Sequence, residues 1–140
     1  MNDAYEAAFH VSVLSILLVV LAVYHLVMGT VALFAPARAV RAAGALYGAR
    51  LGDGAQLRYA TSMIGALAIA VGALAAVAAV RPSANRPIIG ALLVLQLARL
   101  FCRVRDRRLL TDSLGVAPNR NGAMITVLAV EVVILALAFR

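Results

Sequence analysis

The chain has 140 residues, of which 64% are hydrophobic and only 14% are charged. Soluble domains contain about 45–50% apolar and about 25% charged residues, so this composition excludes an ordinary soluble protein and indicates an integral membrane protein. The net charge of +7 comes from thirteen arginines and no lysine. Because these arginines flank apolar segments, they are typical of a membrane-orientation signal, and we predict no nucleic-acid partner. Abundant alanine without any lysine suggests a GC-rich bacterial genome.

Four segments are apolar enough to cross a bilayer, which takes about 20 residues per helix. They lie at about residues 11–34, 57–80, 87–102 and 123–139. No alternation of polar and apolar residues competes with them as strands. The connections are short, so neighbouring helices run antiparallel. We therefore predict an all-α fold, an integral membrane up-down four-helix bundle in which residues 1–140 form a single transmembrane domain.

The connection after the first span has two interpretations. Its residues 36–47 read PARAVRAAGALY. They form either a short interfacial helix, with Val40, Ala43 and Tyr47 on one side, or an arginine-bearing loop that rests on lipid headgroups. The glycines that follow, in GARLGDGAQ, match no phosphate-binding fingerprint, and we assign them no nucleotide role.

A stripe of mostly small residues runs along the second span at three- and four-residue steps. Its members are Ser62, Gly65, Ile69, Gly72, Ala76 and Ala79. Small residues let membrane helices approach each other closely, because no hydrophobic effect drives helices together within lipid. We expect this stripe to pack within the bundle, and a contact between two copies of the chain is the alternative.

The arginines predict the orientation of the chain. Eight lie in the first and third connections and three on the opposite side, at Arg81, Arg86 and Arg140. Cytoplasmic connections carry the excess of positive charge, so we predict a multi-pass protein of the bacterial inner membrane with periplasmic N- and C-termini. Asp3 and Glu6 stand where a signal peptide would be positive, so we expect the first span to be retained. The RVRDRR cluster after the third span is typical of a stop-transfer and lipid-contact patch.

Glu131 is the most unusual residue, since it interrupts the apolar segment VLAVEVVILALAF. A carboxylate at the centre of a spanning helix costs about 2.5–3.5 kcal/mol on insertion scales. At 1.5 Å per residue, Glu131 lies about 12 Å from the cytoplasmic helix end, Gln96 about 9 Å and Arg99 about 5 Å. We expect Arg99 to be the partner of Glu131, with Arg58 as the second choice and Gln96 as a hydrogen-bond donor to the other carboxylate oxygen.

Other polar residues fall in the same half of the predicted bundle. Gln96, Arg99 and Arg103 share one helix face by their spacing, and the remaining members are Arg58, Ser62 and His25. Few polar residues, among them Tyr24, are placed in the opposite half. This cluster is either a buried charge pair that fixes the helix arrangement or the lining of a pocket. No group of residues has the spacing of a metal site, and no cofactor can be named.

Four segments of the sequence resemble those of a known group of proteins. The segments that carry the resemblance are MGTVALFAPARAV, LRYATSMIGALAIAVGAL, LLVLQLARLFCRVRD and AVEVVILALAF. Together they resemble an uncharacterised bacterial family of small four-helix integral membrane proteins, catalogued as a domain of unknown function. The resemblance implies the four-helix fold and importance for Arg58, Arg99 and Glu131. It implies no activity.

Three functions are consistent with the sequence. The first is non-catalytic: the protein binds a lipophilic small molecule or serves as an accessory subunit of a larger membrane complex. The second is a small intramembrane enzyme, with Glu131 as acid or base on an isoprenoid- or quinone-like substrate. The third is a dimeric transporter of small solutes. The partners that we predict are membrane lipids, a lipophilic ligand, and a second copy of the chain or a larger assembly.

Overall fold

The structure, a computed structural model, describes the backbone of residues 2–52 and 54–139 and the side chains of residues 13–52 and 54–139. The side chains of Asp3 and Glu6, and Arg140 as a whole, lie outside this part of the chain. The described chain is all-helical, as predicted, and has six α-helices and a final 3-10 turn, Leu137–Phe139. The α-helices are α1 (Asn2–Phe34), α2 (Pro36–Tyr47), α3 (Ala55–Val80), α4 (Arg86–Arg105), α5 (Arg107–Asp112) and α6 (Pro118–Ala136).

Four of these helices are long and apolar enough to cross a membrane. The candidate spans are Val13–Phe34, Ala55–Val80, Arg86–Arg105 and Pro118–Phe139. The last two are longer than the sequence predicts. Pro118 is the first residue of α6, a position that proline favours because the first helical N–H needs no partner within the helix. The helix therefore begins before the predicted residue 123.

The segment that follows the first span is helical. Pro36 occupies the first turn of α2, and Gly48 ends the helix in the left-handed conformation, with φ of 68°. Ala39 and Val40 of α2 are buried. The loop interpretation of this segment is therefore wrong. A second short helix, α5, lies in the third connection and was not predicted.

The predicted stripe packs inside the molecule, against α1, and makes α1 and α3 the most closely packed pair of helices. A Cβ atom on Gly65 would lie 2.6 Å from the backbone nitrogen of Leu33 and 2.8 Å from the carbonyl oxygen of Gly29. A Cβ atom on Gly72 would lie 2.9 Å from the backbone nitrogen of Leu26. Gly29 is the complementary glycine on α1, and it was not predicted from the sequence.

The four long helices contact one another in chain order. After α1 and α3, the closest pair is α4 and α6, and narrower contacts join α3 to α4 and α1 to α6. All four contribute to an apolar core near one end of the molecule. Its buried members are Leu14, Leu18, Leu21, Ala22, Ala75, Ala78, Ile89, Leu92 and Leu135. Most polar residues of the spans, including Gln96, Arg99 and Glu131, lie away from this core.

The two arginine-rich connections meet at the same end of the molecule. The Arg120 guanidinium donates from Nη1 to the carbonyl oxygen of Ala45, near the end of α2, at 2.9 Å. The backbone nitrogen of Arg50 donates to the carbonyl oxygen of Leu114 at 2.7 Å. These bonds hold the end of α2 against the third connection, which agrees with the expectation that the two connections share one side.

The close contact between Gly29 and Gly65 predicts that position 65 does not accommodate a side chain larger than that of glycine. Gly65→Ala should lower the free energy of unfolding by about 1–3 kcal/mol, because the added methyl group meets backbone atoms that move only if the helices separate. The matched control is Gly122→Ala in α6, where an added Cβ meets nothing within 4 Å. Thermal unfolding in detergent measures both. A Gly65→Ala protein that melts like the wild type would contradict the close α1–α3 contact.

Candidate functional site

Glu131 is held by a hydrogen-bonded chain of three side chains. Gln96, in α4, donates from Nε2 to Oε2 of Glu131 in α6 at 2.6 Å. Arg99 donates from Nη1 to Oε1 of the same amide at 2.9 Å. Gln96 is 2% exposed. An amide can donate and accept at once, so Gln96 satisfies a carboxylate on one side and a guanidinium on the other.

The predicted bond from Gln96 to Glu131 is confirmed, but the direct ion pair between Arg99 and Glu131 is not formed. Within the described residues, no arginine nitrogen lies at ion-pair distance from Glu131, and the one ion pair joins Arg105 to Asp106. The physical reason lies in the helix rise. Gln96 is about one turn deeper than Arg99 and therefore closer to the level of Glu131, so its amide fills the space that the guanidinium would need.

An apolar cavity of about 410 Å³ lies between α1, α3 and α4, and α2 forms part of its wall. Its polar lining residues are Tyr24, His25, Thr61 and Arg99, and the rest of its lining is apolar. Two lining residues of α3 are largely exposed, Ile64 at 63% and Leu67 at 68%. The mouth of this cavity therefore opens on the apolar outer surface of the helices.

A smaller cavity of about 200 Å³ lies between α1, α4 and α6, beside the end of α2. It is more polar, since Tyr24, Tyr47, Arg99, Arg103 and Glu131 line it. Tyr24 and Arg99 line both cavities and so form the wall that the cavities share. Glu131 faces the smaller cavity.

Most polar groups around the larger cavity already have partners. His25 donates from Nδ1 to the carbonyl oxygen of Leu21 at 2.8 Å, and Thr61 donates its hydroxyl to the carbonyl oxygen of Leu57 at 2.7 Å. The hydroxyl groups of Tyr24 and Tyr47 share a hydrogen bond of 3.1 Å. Arg99 is therefore the main source of free N–H donors, since only its bond to Gln96 is made within the described residues.

A second arginine, Arg103, lines the smaller cavity. Arg103 donates from Nη1 to Oδ1 of Asn121 at 2.9 Å, and its guanidinium carbon lies 5.1 Å from the centre of the Tyr47 ring. Asn121 is buried, and its Nδ2 has no partner among the described residues. This arrangement anchors the end of α2 to α4 and α6 through the Tyr47 ring.

The structure brings together part of the predicted set of polar residues. Gln96, Arg99 and Glu131 form one chain, and His25 lines the larger cavity. Arg58 is exposed near the start of α3. Ser62 bonds the carbonyl oxygen of Arg58 in its own helix at 3.2 Å. Neither of these two residues lines the cavities described above.

Several residues at the cavities were not predicted from the sequence. Tyr24 was assigned to the opposite half, but its hydroxyl reaches Tyr47 and the residue lines both cavities. Thr61 and Tyr47 were not selected as site residues. The spacing of Arg103 places it on the same helix face as Gln96 and Arg99, and this pattern could have selected it as a site residue. In the structure all three side chains lie in the same polar region. No comparable pattern identifies Thr61.

The described residues contain no group of three or more histidine, cysteine, aspartate or glutamate side chains placed to hold a metal ion. We found no match to this chain among protein-family models, curated proteins or solved structures. The resemblance to a family of small four-helix membrane proteins stays an expectation from the sequence.

The bridging role of Gln96 can be tested against a matched change in Glu131. Gln96→Leu should lower the free energy of unfolding by about 1–3 kcal/mol, because it removes a hydrogen bond from both Arg99 and Glu131. Glu131→Gln should cost less, since an amide oxygen can still accept from Gln96. The double variant Gln96→Leu, Glu131→Leu should recover part of the loss. Chemical or thermal unfolding in detergent measures all three, and a fully stable Gln96→Leu protein would rule out the bridge.

Proposed function

We propose that the protein is a multi-pass protein of the bacterial inner membrane, built as a single-domain, up-down four-helix bundle. The support is the apolar outer surface of all four long helices. Large apolar residues on them are mostly exposed, for example Ile16 (64%), Val94 (65%) and Val133 (61%). A soluble monomer does not expose apolar surface on this scale, whereas lipid would cover it.

The proposed orientation places α2, α5 and their arginines in the cytoplasm and both termini in the periplasm. Two observations support it: the arginine excess in the first and third connections, and the hydrogen bonds that tie these connections together.

This orientation predicts the outcome of a reporter-fusion experiment. A reporter in the connection between Arg103 and Arg120 should be active as a cytoplasmic fusion, because positively charged connections are retained inside. Fusions between Arg81 and Arg86 and after Arg140 should be active as periplasmic fusions and serve as internal controls. The reverse pattern would overturn the orientation.

Within this setting we infer a non-catalytic function, the binding of a lipophilic small molecule. The observation that carries this proposal is the apolar cavity of about 410 Å³. Its volume lies in the range of small-molecule sites, about 300–1,000 Å³, and its few polar side chains are of the kind that orient a ligand. Because Ile64 and Leu67 mark a mouth on the outer surface, the ligand reaches the cavity from the lipid.

The position of Glu131 favours binding over the enzyme alternative. An acid or base must come within hydrogen-bond reach of the group that it protonates or deprotonates. Glu131 lines the smaller cavity, whereas Tyr24, His25 and Arg99 line the larger one. A substrate in the larger cavity would therefore not meet the carboxylate.

Filling the cavity tests the proposal. Ala43→Phe introduces a ring from α2 into the cavity lining and should abolish co-purification of a lipophilic molecule, detected by mass spectrometry of extracts of the purified protein. Ala42→Phe is the matched control, because Ala42 is exposed on the same helix and should retain the wild-type amount. Equal ligand content in both variants, or none in the wild type, would contradict binding in this cavity.

A further inference from the structure

We propose that the molecule in the larger cavity is an amphiphile with a compact anionic group, a carboxylate or a phosphate, and that Arg99 binds this group. The inference rests on the proposed ligand-binding function and adds the chemical class of the ligand. Among the described residues that line the cavity, Arg99 is the only charged one.

The hydrogen bonds around the cavity single out Arg99 as the recognition group. The Thr61 hydroxyl and His25 Nδ1 donate to carbonyl oxygens of their own helices. A guanidinium has five N–H donors, and the structure assigns one of Arg99 to Gln96. The remaining donors suit a planar carboxylate or a phosphate, which arginine binds through paired, charge-assisted hydrogen bonds.

The charge of Arg99 also favours an anionic ligand. Among the described residues no carboxylate lies at ion-pair distance from its guanidinium, because the neutral Gln96 amide stands between Arg99 and Glu131. A cation within the proposed membrane needs an opposite charge or water nearby. Glu131 acts on Arg99 from beyond ion-pair distance, and an anionic headgroup in the larger cavity would supply an opposite charge in direct contact. The headgroup would also be kept from Glu131, which lies on the other side of the shared wall.

The rest of the cavity suits the apolar part of the same molecule. Apolar side chains of α1, α2 and α3 make up most of the lining, and the mouth beside Ile64 and Leu67 opens on the outer surface of α3. An amphiphile can therefore place its charged group at Arg99 while its chain occupies the cavity and extends toward the lipid.

The test uses the full chain in phosphatidylcholine nanodiscs and four radiolabelled probes with the same 16-carbon chain: palmitate, hexadecyl phosphate, hexadecanol and hexadecylamine. Binding is the excess of probe over empty nanodiscs. The wild type should bind at least one of the two anionic probes tenfold or more tightly than hexadecanol, and the tighter of the two identifies the headgroup. Arg99→Gln should remove this preference and keep hexadecanol binding, whereas Arg99→Lys should retain a preference for anions.

Arg108→Gln is the matched control, since Arg108 is exposed in α5 and lines neither of the two cavities described above, and it should leave the preference unchanged. Equal binding of all four probes, or tighter binding of hexadecylamine, would overturn the anionic inference and leave the lipophilic site in place. Loss of the preference in Arg108→Gln but not in Arg99→Gln would also overturn it. If no probe binds the wild type, the ligand-binding function itself fails. If Arg99→Gln no longer binds hexadecanol, the Arg99→Lys variant becomes the deciding measurement. Loss of the preference for anionic probes in Arg99→Lys would then contradict the proposal that Arg99 binds the anionic group.

Discussion

A carboxylate and a guanidinium between apolar helices need polar partners, because the hydrocarbon of a lipid surrounding offers none. Gln96 supplies one such partner to each group. It donates to Glu131 of α6 and accepts from Arg99 of its own helix, so one buried amide connects the two charges. The bridge has two consequences: it joins α4 to α6, and it leaves the other N–H groups of Arg99 without a hydrogen-bond partner among the described residues.

The cavities follow from unequal helix packing. At the Gly29–Gly65 contact, α1 and α3 lie so close that a Cβ added to either glycine would meet backbone atoms of the other helix. The contact between α3 and α4 is narrower, and the larger cavity opens beside it. Close packing on one side of α3 thus leaves space on another.

Helix α2 completes the larger cavity, and its position depends on contacts that are distant along the chain. Arg120 binds a carbonyl oxygen near the end of α2, and the Tyr47 ring lies under the Arg103 guanidinium. The buried side of α2 then covers the space between α1 and α3. The pattern of this 12-residue segment is compatible with a helix and with a loop, and it does not fix where the segment lies. The pattern alone therefore left both points open.

The sequence predicted those parts of the candidate site that depend on the position of residues along a helix. The spacing of Gln96, Arg99 and Arg103 put them on one face, and the depth of Glu131 put it near Gln96. The prediction of a direct Arg99–Glu131 pair was wrong because counting residues along a helix ignores the side chain that already fills the gap. Tyr24 was placed in the wrong half for a similar reason, since the helix rise locates its Cα atom and not its hydroxyl group.

The sequence by itself determined the helical class, the four long apolar helices and the small-residue face of α3, because hydropathy and helical periodicity are local properties. The tertiary structure alone decided that Gln96 bridges the two charges and that Tyr24 and Arg99 separate two cavities. These features depend on the rotation and spacing of α1, α3, α4 and α6 relative to one another. That geometry results from the fit of many side chains at once, and no single segment of the chain encodes it.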